Sequence, residues 1–287
     1  MELFVSQLIN SLAFAFLLFL MSAGLSLIFG LMNVINLAHG SFFMLGAFTA
    51  FAVERATGNY WLALSVAWVP VMALAVLLER FFLQPMYGRG HLDQMLLTFG
   101  FVFVFGDLAK FVWGPDIRSV APPELLSRTV NMAGATVPTY RIFIVVVGFA
   151  IAIALWLFLE RSRVGAMIRA SVDDAETASG IGINVRLLFG GTYALGAALA
   201  AIGGIIASPV MGAYLGLDMN ILVPAFIVVV IGGMGNLKGA LIASIFIALV
   251  QTFGAAYFPQ FSSFSIYLLM IVVLIVRPRG LFGALKG

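Results

Sequence analysis

The chain alternates long apolar runs with short polar breaks. The runs cover Leu8 to Gly30, Phe42 to Val53, Trp61 to Phe82, Met95 to Val112, Tyr140 to Leu159, Leu187 to Ser208, Ile221 to Ile231, Ala240 to Tyr257 and Phe261 to Val276. Most approach the roughly 20 residues that an α-helix needs to cross a bilayer, where only internally hydrogen-bonded backbone is tolerated. The pattern predicts an all-α fold: a polytopic transmembrane helical bundle of eight or nine segments, some short or broken, forming one domain over residues 1–287. The run from Leu187 is rich in Gly and Ala, including Gly196, Ala200 and Gly203. Small residues of this kind let helices approach closely in lipid.

Two polar breaks fall inside apolar surroundings. The first is Asn33-Val-Ile-Asn36-Leu-Ala-His39-Gly40-Ser41 and the second is Gly232-Gly233-Met234-Gly235-Asn236. Polar groups at membrane depth are expensive and tend to face a cavity or a partner. Asn33, Asn36, His39, Gly40 and Ser41 are therefore candidates to line a path or brace a broken helix. The alternative is a polar turn at the surface, with Gly40 chosen for backbone freedom. Gly232, Gly233, Gly235 and Asn236 read equally as a helix end facing a cavity or as a tight turn. Asn36-Leu-Ala-His-Gly40-Ser41 echoes Asn236-Leu-Lys-Gly239-Ala240, and paired Gly-interrupted segments point to a substrate path in repeat-built transporters.

The one markedly polar stretch is Arg161–Arg186, which holds seven of the chain's 27 charged residues. Asp173, Asp174 and Glu176 stand in the first half of a short helix, where the macrodipole favours acids. Ser171 is a candidate cap, and Gly180-Ile181-Gly182 a natural stop. With Ala178 on the helix and an apolar edge at Ile181, Ile183 and Val185, the segment is suited to dock in a groove on a partner. A solvated connector is the plainer reading. Elsewhere, Gly114 to Thr139 is a Pro-rich ordered loop, Asp107 and Lys110 are spaced for a helical-turn pair, and Tyr60 and Trp61 suit an interfacial belt.

Composition narrows the classes. The chain is 63% hydrophobic and 9% charged, with mean hydropathy +1.13, against roughly 25% charged residues in soluble domains. Cys is absent and the two His, His39 and His91, are far apart, so neither a metal site nor a catalytic cluster is expected. Met1 to Gln7 lacks a basic region, so the first run reads as a span and not a cleaved leader. The positive-inside rule places the 161–186 loop and the tail with Arg277, Arg279 and Lys286 in the cytoplasm. Arg80, Arg89 and Lys238 join them, and Arg55, Lys110, Arg118, Arg128 and Arg141 fall outside with the N-terminus.

Taken in order, further motifs carry a resemblance. They are Gly24-Leu-Ser-Leu-Ile-Phe-Gly30 continuing through Asn36-Leu-Ala-His39-Gly40-Ser41 to Gly46, Glu176-Thr-Ala-Ser-Gly180, Gly180-Ile-Gly-Ile-Asn184, Val230-Ile-Gly-Gly-Met-Gly-Asn236-Leu-Lys-Gly239 and Arg277-Pro-Arg-Gly-Leu-Phe282. The loop resembles the Glu-Ala-Ala-x-x-x-Gly coupling loop of ABC importer permeases, departing at Thr177. Across nearly the whole chain the set resembles the branched-chain amino acid ABC permease family, of the LivH type.

The resemblance implies a bacterial inner-membrane permease subunit, paired with a second and usually different permease subunit. It further implies two ABC ATPase subunits that bind ATP and Mg, and a periplasmic substrate-binding protein that Asp218 and the Pro-rich loop are candidates to meet. This chain itself has no phosphate loop of the Gly-x-x-x-x-Gly-Lys-Ser/Thr type, and neither bound cofactor nor nucleic-acid partner is expected. Within the family, urea, short amides or small carboxylates are alternative cargoes. An ion-coupled transporter or channel is a remoter reading, because acids within the spans are few. An intramembrane enzyme finds no clustered nucleophile or base.

Overall fold

The computed structural model describes residues 2–132, 134–278 and 280–282. It is mainly helical: α1 (Glu2–Met32), α2 (His39–Thr57), α3 (Tyr60–Val66), α4 (Trp68–Leu78), α5 (His91–Trp113), α6 (Thr139–Arg161), α7 (Arg163–Asp173), α8 (Ala175–Gly180), α9 (Val185–Met211), α10 (Leu217–Gly232), α11 (Leu237–Tyr257) and α12 (Ser262–Val276). The all-α expectation needs one addition, a hairpin of β1 (Thr129–Met132) and β2 (Ala135–Pro138) inside the Pro-rich loop.

By length and composition six helical stretches suffice to cross a membrane: Glu2–Met32, Tyr60–Met86, His91–Trp113, Thr139–Arg161, Val185–Met211 and Leu237–Tyr257. Leu217–Gly232 and Phe264–Val276 are shorter apolar helices. The stretch Tyr60–Met86 combines α3, α4 and two further short turns. Its break at Ala67 is explained by Pro70, which has no N–H to give the carbonyl four residues back.

α1 and α9 form the centre, flanked by α2 and α10, with the other spans around them. α1 is apolar all round, as a buried membrane helix is, and glycine makes the central contacts close. A Cβ on Gly24 would stand 2.5 Å from the Gly196 carbonyl oxygen, and one on Gly46 or Gly204 would overlap the backbone of Ala201 or Phe43.

Both central helices are followed by a chain that turns back into the bundle. After Met32 the backbone enters the left-handed region at Asn33 (φ 52°) and runs without helix to Ala38. α2 then begins at His39, beside Met21 and Gly24 in the second half of α1. After Met211, Gly212 (φ 75°) and Gly216 (φ 95°) turn the chain, and α10 begins with Asp218 against Gly40 of α2. The two half-helices therefore start at one level, inside the bundle. α2 runs toward the end where α9 finishes, and α10 toward the end where α1 finishes. The break 33–38 is thus matched by 212–216, not by 232–236 as the echo in sequence suggested.

Candidate functional site

Where α2 and α10 meet, polar side chains that sequence spacing kept apart are gathered in the interior. Asn36 is buried and donates through Nδ2 to the Tyr193 hydroxyl at 3.0 Å, while its Oδ1 has no partner. His39 is fully buried, with Nε2 3.2 Å from the Met21 carbonyl oxygen and Nδ1 unpartnered. Ser41 donates to Asp218 Oδ2 at 3.2 Å. On the adjoining break, the Leu37 N–H donates to Thr98 of α5 at 3.1 Å. Buried polar atoms left without partners cost about 1–3 kcal/mol each, so Asn36 and His39 keep unspent hydrogen-bonding capacity in a region where it is costly.

Asn36, His39, Gly40 and Ser41 are thus brought together. Asn33 is not: it is exposed at the helix end, 3.5 Å from His91 Nε2. The Gly40 position has a packing cause, since a Cβ there would stand 2.5 Å from the Asp218 carbonyl oxygen. Asp218, expected in an exposed connection, is buried at the start of α10. Tyr193 was not singled out by its surroundings in sequence. Replacing Tyr193 with Phe is expected to leave the Asn36 amide unpaired and to lower stability by about 1–3 kcal/mol, readable as a lower thermal midpoint in detergent.

The second polar break lies elsewhere, at the far end of α10. Gly233 and Gly235 have φ of 95° and 80°, Gly232 packs on Gly239, and Gly235 on Gly30. Asn236 caps α11, accepting from the Gly239 N–H at 2.9 Å and donating to the Phe282 carbonyl at 3.0 Å. This is a tight interhelical turn, further closed by the Leu281 N–H donating to the Ile231 carbonyl at 2.7 Å. Of the tail cations used for orientation, Arg279 and Lys286 lie outside the described residues.

The polar loop folds as two helices. Ser162 starts α7 by accepting from the Gly165 N–H at 2.9 Å, and Asp174 starts α8 by accepting from the Glu176 and Thr177 N–H groups, both at 3.0 Å. Ser171, expected as the cap, is instead buried within α7. Asp173 closes α7, and Glu176 and Gly180 stand exposed on α8, with Ala178 buried beneath. Gly180 is still helical with open space around it, whereas Gly182 (φ 92°) makes the stop. Ile181 is exposed and Ile183 half-buried.

The Thr177 hydroxyl donates to the second Asp174 oxygen at 2.5 Å. That bond, ahead of the Thr177 and Glu176 N–H groups, holds the Asp174 carboxyl below its ordinary value. A depressed carboxylate pKa gives stabilisation that is complete above the unfolded value, near 3.9, and is lost as pH falls through the lower folded one. The cap is therefore expected to persist unchanged from pH 8 to pH 5. Amide hydrogen exchange at Glu176 and Thr177, corrected for intrinsic rates, checks this; loss of protection near pH 6 would contradict it.

Two smaller expectations also change. Tyr60 is buried, 2.6 Å from the Tyr140 hydroxyl, leaving Trp61 as the exposed ring of the pair. Among the described residues Asp107 and Lys110 form no ion pair; Arg118–Asp116 and Arg169–Glu160 do, each at 3.8 Å. Glu79, where α4 ends, is buried, receives the Tyr87 hydroxyl and packs against Gly190. No group of three or more metal-binding side chains occurs among the described residues.

Long apolar helices around a pair of opposed half-helices, with a capped polar segment at one end, have the make-up of a multi-pass membrane protein, and the family match makes it one of the permease class. The family described as the branched-chain amino acid transport system permease component matches residues 7–274, and the chain belongs to it. Among its relatives, the high-affinity branched-chain amino acid transport system permease protein BraD of Pseudomonas aeruginosa is 28% identical, over 98% of this chain and 96% of that one. LivH of Escherichia coli K12 is 27% identical over the same shares. LivM of Escherichia coli K12 is 24% identical over 91% of this chain and 67% of that protein. The solved PsaBC from Streptococcus pneumoniae in complex with Fab shares the fold, with a TM-score of 0.50 at 16% identity, over 93% of this chain and 89% of that chain.

Proposed function

We propose that this chain is the translocating subunit of an ATP-driven importer for branched-chain or other amino acids, and that residues 1–287 act as a single permease domain. The observation that carries this reading is the family match along almost the whole chain. The names of the relatives support the cargo, and their identities of 28% and 27% fit a shared substrate class. In this reading the chain sits in the bacterial inner membrane with α7 and α8 on the cytoplasmic side and the N-terminus in the periplasm. A paralogous permease subunit completes the path, as the similarity to both LivH and LivM supports. ATP and Mg belong to two ATPase subunits, and a periplasmic binding protein delivers the cargo.

The α7–α8 segment is the proposed contact with the ATPases. Asp173, Asp174, Glu176, Ala178, Gly180, Gly182 and Ile183 belong to a capped unit, exposed except at Ala178 and in part at Ile183, that lies between the long helices α6 and α9. A force on such a unit tilts those helices as bodies, the rocking common to domain transitions. The buried cluster of Asn36, His39, Gly40 and Ser41 is the proposed hinge or path element. Gly232, Gly233, Gly235 and Asn236 join it only as the turn that anchors α10.

Replacing Gly182 with Val should cut energised uptake at least about tenfold, because a β-branched residue at positive φ is strongly disfavoured. Uptake and ATP hydrolysis measured together in proteoliposomes, with leucine, urea and a short carboxylate as competitors, test both coupling and cargo. Unaltered uptake in Gly182→Val would overturn the coupling role, and competition by urea but not leucine would overturn the cargo.

A further inference from the structure

α6 and α11 lie on either side of α1 and leave a cleft between them at the end that holds α7. Two cavities occupy it in succession. One, of about 350 Å³, lies at the bundle end and is lined by Ser26, Glu160, Arg169, Asp173 and Lys238 among others. The next, of about 160 Å³, continues along the bundle and is apolar, lined by Phe19, Phe149, Ile153 and Leu241. Trp156, Leu237 and Lys238 line both, so the two adjoin.

The polarity of this cleft is that of an amphiphile: charged at the bundle end and apolar along the helices. Its charged part carries two cations and two carboxylates. An anion alone would meet Glu160 and Asp173, and an amine alone would meet Arg169 and Lys238. Arg169 and Glu160 are only loosely paired, at 3.8 Å and with both side chains nearly half exposed, so both retain capacity for a ligand. Ser26 adds an independent sign. It lines the cavity, is 1% exposed, and its hydroxyl has no partner, although buried hydroxyls are ordinarily hydrogen-bonded.

We propose that this cleft binds a phospholipid whose headgroup carries both a phosphate and a free amine. Lys238, Arg169 and the Ser26 hydroxyl take the phosphate, and Glu160 and Asp173 take the ammonium. Trp156 stands at the junction, as amphipathic rings do at a membrane interface, and one acyl chain follows the groove beside Phe19 and Leu241. The site is distinct from the α2–α10 cluster, borders the proposed ATPase contact at Asp173, and does not depend on which solute is carried.

The test uses the full-length chain with the subunits it carries, extracted in mild detergent and stripped of lipid. Thermal midpoints are measured after adding phosphatidylethanolamine, phosphatidylcholine or phosphatidylglycerol. The amine-bearing lipid is expected to raise the midpoint most, by roughly 3 °C or more, since a ligand of the native state stabilises it by mass action. Lys238→Glu should remove that advantage, and Glu160→Gln should move the preference toward phosphatidylglycerol. Both side chains are exposed, so neither change threatens folding. Equal effects of the three lipids, a parental preference for phosphatidylglycerol, or an unchanged order in Glu160→Gln would each overturn the assignment.

Discussion

Replacing Gly204 with Val is expected to abolish accumulation of the folded chain. A Cβ at this position would overlap the Phe43 carbonyl oxygen and lie 2.8 Å from the Phe43 carbonyl carbon. Overpacking costs about 1–3 kcal/mol where side chains can yield. Here the obstacle is the backbone of α2, so α2 and α9 must separate along the seam that also contains Gly46 and Ala201. The loss then becomes comparable with the ~5–15 kcal/mol that stabilises a typical domain. Gly100→Ala and Gly106→Ala are suitable controls, because nothing lies within 4 Å of either position, and both should accumulate normally. Fluorescence-detected size exclusion reads the outcome directly; a monodisperse Gly204→Val peak of parental height would refute the close-contact account.

The second large effect is expected at Asp218. Asp218→Leu removes the acceptor of the Ser41 hydroxyl and adds bulk where Gly40 meets the α10 backbone. Transport should fall by a factor of ten or more. Asp218→Asn keeps an acceptor oxygen and should retain an intermediate rate. Ser41→Ala leaves the buried carboxylate without its donor, a loss of about 2 kcal/mol for a hydrogen bond to an acid, or roughly thirtyfold in the balance between two states. If the bond only held the fold together, all three variants would lose protein in proportion to activity. Uptake per folded molecule separates the cases, and equal specific activity across the series would exclude a role in transport.

The outline of the bundle was legible because apolar length is a local property. Each apolar run is helical, although only six stretches are long and apolar enough to span, and the Gly-Ala-rich stretch from Leu187 is a central helix in close contact with its neighbours. The interior site was legible only by half. Asn36, His39, Gly40 and Ser41 announce themselves as polar residues in an apolar setting, but their partners do not. Tyr193 lies 157 positions from Asn36, and Asp218 lies 177 from Ser41, and no local pattern encodes such pairings. The burial of Glu79 is hidden in the sequence for a related reason, because a π-turn at Glu79–Leu83 and a short turn at Gln84–Met86 bring Tyr87 back over it. The α8 segment was the most legible part. Its cap, helix and glycine stop act within ten residues, and the error there was a choice between Ser171 and Asp174 three positions apart.

The central place of α1 also fixes an order of events during synthesis. Gly24 packs against Gly196, about 170 residues later in the chain. At about 5–20 residues per second, α1 waits on the order of ten to thirty seconds in the membrane before α9 exists. α11, which packs along much of α1, is made later still. During that interval the face of α1 that carries Gly24 has lipid or an insertion factor for company in place of its native neighbours. α1 is thus made well before the helices that enclose it.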